Sequence, residues 1–101
     1  MKKYILIAAG VIIASAAYAQ KSKVVAAYNY NNYFEKKGKC SDLTSGVEAI
    51  NLAIENEQSK SWAKTWYYRG NLYFNVVLSK DATCKAIDAE AIEKCTESYF
   101  K

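Results

Sequence analysis

A glycine stands inside a run of aromatics at Trp66-Tyr67-Tyr68-Arg69-Gly70-Asn71-Leu72-Tyr73. Around it, Trp62, Trp66, Gly70, Tyr73 and Val77 recur at spacings of four, four, three and four, the period of one helix face. Glycine in a helix interior costs roughly 1 kcal/mol relative to alanine. It is expected where a second helix must come close, because a side chain there would separate the two backbones. The stretch therefore constrains the chain to paired helices with at least one close crossing.

The rest of the chain follows the same period. Leu43, Val47, Ile50 and Ile54 form a stripe widened by Ala49 and Ala53, with Ser41 or Asp42 as its N-cap. Ile92, Cys95 and Tyr99 form another, with Asp88 as cap and Glu90 in the first turn. Ser61 caps the central helix. Val24, Ala27, Asn31 and Phe34 suit a fourth helix, although Asn29, Asn31 and Asn32 are poor helix formers and the aromatic density would also fit a strand. The neighbours decide for helix. Four helices are predicted, at about 23–36, 43–56, 61–78 and 88–100. Short links favour antiparallel neighbours, giving an all-α chain of two hairpins at about 23–56 and 61–101.

The first 19 residues read as a signal peptide. Lys2 and Lys3 precede an uncharged stretch from Tyr4 to Gln20, and Ala17-Tyr18-Ala19 supplies a small-x-small cleavage site. That stretch has 17 residues, short of the ~20 of a membrane span. No cysteine stands at the cleavage point to take a lipid. The expected mature domain, residues 20–101, is not membrane-spanning. It keeps 12 basic against 10 acidic residues, interspersed except for Lys36, Lys37 and Lys39. No basic face points to nucleic acid. The chain has no histidine, no phosphate-binding loop and no paired-carboxylate motif. Catalysis, metals and cofactors are not expected.

Trp66, Gly70 and Tyr73 keep the spacing W-x3-G-x2-Y, and Cys95-x3-Tyr99 with Ile92 gives a small-x3-aromatic element. This resembles the tetratricopeptide repeat family, with Arg69 where leucine is usual. Leu43, Gly46, Ile50 and Ala53 show related spacings in the first hairpin, so the resemblance covers most of 24–101. It implies a stacked α-solenoid. Gly70 and Cys95 lie 25 residues apart, where about 12 are usual, so an insertion centred on Ser79–Ile87 is expected. A rival register through Ala82, Ala86 and Ala89 needs no insertion but has a weaker apolar stripe and sets Lys80, Asp81 and Lys85 inside the helix. No proline closes either repeat. Two hairpins leave an end face open, which implies further repeats in a longer parent protein or self-association.

The resemblance also implies a function. Lys64, Tyr67, Asn71, Phe74 and Asn75 turn away from the Gly70 stripe, where the family lines a concave groove for extended peptides. The expected protein is a non-catalytic scaffold of the bacterial envelope or periplasm, binding a protein or peptide partner. The alternative is a glycan- or cell-wall-binding module using the Tyr28–Phe34 run, whose rings would stack on sugars. Arg69 is expected to reach along the hairpin edge or to pair with an acidic residue such as Glu48. Cys40 and Cys84 each precede the second helix of a hairpin, and stacked repeats would bring them within bonding range. Their unequal loops favour three free thiols over that bond. Cys95 is expected to be buried and unpaired, and without histidine it has no partner for catalysis.

Overall fold

The computed structural model describes residues 21–101, all of whose regular structure is helical. The expected leader lies outside them. Six helices follow in order: α1 over residues 21–37, α2 Cys40–Ile54, α3 Glu57–Lys60, α4 Ala63–Leu78, α5 Ala82–Lys85 and α6 Ala91–Tyr99. No helix among the described residues is long and apolar enough to cross a membrane.

The asparagine-rich start is helix, and its stripe is inward: Val24, Ala27 and Asn31 are buried and Phe34 is half-buried. α1 ends where Gly38 takes a positive φ of 72° and its N–H returns to the Phe34 carbonyl at 2.7 Å, a left-handed helix stop. The sharp stop lets α2 begin at Cys40, three residues before the expected start. Lys39 is its N-cap without a side-chain bond, and Asp42 sits in the first turn instead of capping. Trp62, not Ser61, caps α4. The reason is α3, an extra turn whose cap Asn56 accepts from Gln58 and Ser59. Ser61 terminates that turn, its hydroxyl donating to the Gln58 carbonyl at 2.8 Å.

The segment between α4 and α6 holds α5, capped by Asp81 through the Thr83 N–H at 2.7 Å. α6 starts at Ala91, later than 88, because the Asp88 carboxylate folds back on the Glu90 N–H at 2.9 Å in a local turn. Its buried face is therefore Ala91, Cys95 and Ser98. Ile92 lies one position off that face and is 65% exposed, so it does not join the stripe assigned to it.

The core is built from Leu43, Ile50, Leu72, Tyr73 and Val76, all essentially inaccessible. Paired contacts fix the helix directions. Trp66 meets Lys101 while Arg69 meets Ser98 and Gly70 meets Tyr99, so α4 and α6 are antiparallel. Leu72 meets Gly46 while Arg69 meets Asn51, so α4 and α2 are antiparallel too. Tyr28 meets Tyr68 and Asn31 meets Asn75, so α1 and α4 run in the same direction.

Candidate functional site

The conspicuous residues of the central helix are spent on packing. A Cβ on Gly70 would stand 2.6 Å from the Tyr99 ring, and the Cys95 thiol approaches the Gly70 carbonyl at 3.5 Å. Gly46 is crossed as closely: its Cβ would stand 2.7 Å from Leu72 and 3.3 Å from Tyr30. Tyr73 is fully buried; its hydroxyl accepts from Asn51 at 2.8 Å and donates to Asp88 at 3.0 Å. Burial, chiefly, raises the Tyr73 pKa. Trp66 is half-buried, its indole N–H donating to the Lys60 carbonyl at 2.7 Å.

Arg69 does pair with an acidic residue, but with Glu97 rather than Glu48, and it lies inside rather than on an edge. It is 4% exposed and its guanidinium reaches Asn51 at 3.0 Å, Glu97 at 2.7 Å and Ser98 at 2.9 Å. The same group lies over the rings of Trp66 and Tyr73, at 5.5 and 5.2 Å. An arginine can serve three helices this way because its donors form a planar fork that also stacks on aromatics. Lys94 completes the network, 2.6 Å from the Asp88 carboxylate. Burial pushes that carboxyl up, but bonds from Lys94, the Glu90 amide and Tyr73 outweigh it and hold it below the usual range.

Cys40 and Cys84 are disulfide-bonded, with Cα atoms 5.2 Å apart. The expectation of free thiols is corrected for this pair. Loop length was a poor guide because α5 takes up the extra residues and carries Cys84 to the start of α2. Cys95 is free and buried, and burial raises its thiol pKa. That makes it a poor nucleophile.

The residues expected to bind a partner divide into two groups. Tyr67 and Phe74 are exposed, at 59% and 47%, and Lys64 is exposed beside α1. Asn71 is half-buried. Its carbonyl oxygen accepts the Tyr99 hydroxyl at 2.6 Å, leaving its amide donors without a protein partner among the described residues. Asn75 is used up: its amide donates to Asn31 at 2.7 Å and Glu35 at 3.2 Å, tying α4 to α1. Its separation of 44 residues from Asn31 hides that role in the sequence.

Between α1 and α4 the surface opens. A small cleft of about 100 Å³ is lined by Asn31, Asn32, Glu35 and Asn71, with Tyr28 and Tyr68 at its head. Those two rings touch, centroids 4.9 Å apart. No sequence spacing pairs Tyr28 with Tyr68; only the parallel course of α1 and α4 brings them together. The seam thus carries aromatic rings, amide donors and acceptors, and one carboxylate, all able to hydrogen-bond or pack against a ligand. The chain matches no family model, no curated protein and no solved structure.

Proposed function

We propose that the protein is an exported, non-catalytic scaffold of the tetratricopeptide-repeat type that holds an extended peptide segment of an envelope partner along the exposed face of α4 between α1 and α6. The observation that carries this reading is the unequal use of α4. Its Gly70 face is consumed by α6 and its Leu72 face by α2, whereas Tyr67, Asn71 and Phe74 keep exposed rings and unpaired amide donors. An extended peptide needs such donors and acceptors for its backbone and apolar faces for its side chains. The parallel run of α1 and α4, each backed by an antiparallel partner, also agrees with two stacked hairpins.

A glycan-binding role for the Tyr28–Phe34 run is the second reading, favoured by the exposure of Tyr28 and Tyr33. Against it, Tyr30 and Tyr33 meet edge-on at 84° and Tyr28 leans on Tyr68, so the rings do not form one flat platform.

Selection of binders from a random displayed-peptide library, under non-reducing conditions, tests the first reading. Peptides that bind the parent protein should lose at least about tenfold affinity to Tyr67→Ala. The substitution should leave stability within about 0.5 kcal/mol, because the side chain is exposed. Undiminished binding by a folded Tyr67→Ala variant contradicts the reading.

A further inference from the structure

Above the Tyr28–Tyr68 contact, between the first turns of α1 and α4, lies an open-mouthed well of about 460 Å³. Its volume is within the range of small-molecule sites. The walls are apolar, formed mainly by Val25, Tyr28, Trp62 and Tyr68. Lys21 and Lys64 stand among its lining residues, and no acidic residue does. Neither lysine is in an ion pair among the described residues.

We propose that this well binds a long-chain carboxylate, with the hydrocarbon tail between the aromatic walls and the carboxylate between Lys21 and Lys64. The two ends of such a molecule match the two kinds of surface. A linear tail has no hydrogen-bonding group and loses nothing in an apolar cavity. A peptide would bring amides, and each amide desolvated without a partner is costly. Lysine suits the mouth because its flexible apolar stem lies along the wall while the ammonium stays in water. The occupant is a single acid molecule rather than a bilayer, because the apolar surface is a concavity between two helices instead of a projecting one. The assignment does not depend on the peptide reading, which rests on Tyr67 and the amide cleft below.

The test uses Trp66→Phe, which leaves Trp62 as the sole indole of the two in the chain. Laurate, added below its micelle threshold, should shift Trp62 emission to shorter wavelength and saturate. Dodecanol should bind more weakly. Joint replacement Lys21→Gln and Lys64→Gln should weaken laurate about tenfold, the sum of two exposed ion pairs, and leave dodecanol unchanged. Ala63→Phe lies in the lining at an exposed position and should abolish the response without changing Tm. Calorimetry with the unaltered chain should give the same order of affinities. Equal binding of laurate and dodecanol, a response surviving Ala63→Phe, or a response to anionic vesicles but not to monomeric laurate would each overturn the proposal.

Discussion

Helix α4 meets α6 and α1 on different terms. Against α6 it presents a glycine, a buried arginine and a tyrosine, and almost every polar atom there finds a partner. Tyr99 lies over Gly70, Ser98 and Glu97 take the Arg69 guanidinium, and Asp88 in the turn just before α6 takes the Tyr73 hydroxyl. Against α1 it is tied at one end by Asn75 and touched at the middle by Tyr28, and elsewhere the seam stands open. The same helix is thus glued on one side and left available on the other. Stability should depend on the closed seam, and binding on the open one.

The largest perturbation is expected at the disulfide, which lies outside both seams. It links positions 44 residues apart and holds α5 against α2. Loop-closure entropy for that length is worth about 4 kcal/mol. Reduction, or Cys40→Ala with Cys84→Ala, should lower the denaturation midpoint accordingly, and chemical unfolding with and without reductant measures it. Arg69→Ala comes next. It strands the polar groups of Asn51 and Ser98 and removes two ring contacts, a loss of about 3 kcal/mol, or roughly 15 °C in Tm. Arg69→Lys should recover little, since an ammonium lacks the planar fork.

The two glycines sharpen the comparison further. Gly46→Ala pushes on Leu72, which is fully buried and cannot withdraw, and should cost about 2 kcal/mol. Gly70→Ala pushes on the half-exposed Tyr99 ring, which can swing away, and the gain in helix propensity of roughly 1 kcal/mol offsets part of the strain. Thermal melts should therefore rank Gly46→Ala as the more damaging. The smallest effect concerns pH. The Asp88 carboxyl sits below its ordinary value, so its contribution is present above the usual carboxylate range, near pH 3.9, and fades as pH falls through its folded value. Acid unfolding of Asp88→Asn should show a shallower loss in that window than the parent.

The helical period, the close crossing at Gly70 and the inward stripe of α1 were legible in the sequence because they depend on residues within one helix. Apart from Cys95, the expected α6 stripe lies one position off the buried face, since Ile92 looks apolar in isolation while Ser98 does not look buried. Ser98 is buried where α6 packs on α4, and its hydroxyl is satisfied there by Arg69 from the other helix and by the Lys94 carbonyl. The same limit applies to the binding surface. Tyr67 and Phe74 could be placed outward from periodicity alone. The consumption of Asn75 and the meeting of Tyr28 with Tyr68 depend on which helix lies alongside, which no local pattern states. The caps at Ser61 and Asp88 were displaced by short turns whose existence depends on Asn56 and on a folded-back carboxylate.

The most direct measurement is amide and side-chain NMR of the uniformly labelled protein titrated with a library-selected peptide. Shifts concentrated at Tyr28, Asn32, Tyr67, Asn71 and Phe74, with Ala91, Cys95 and Ser98 undisturbed, are the result expected if the exposed face of α4 beside α1 holds the peptide. Shifts centred instead on the outer face of α6, at Ile92 and Phe100, would contradict it.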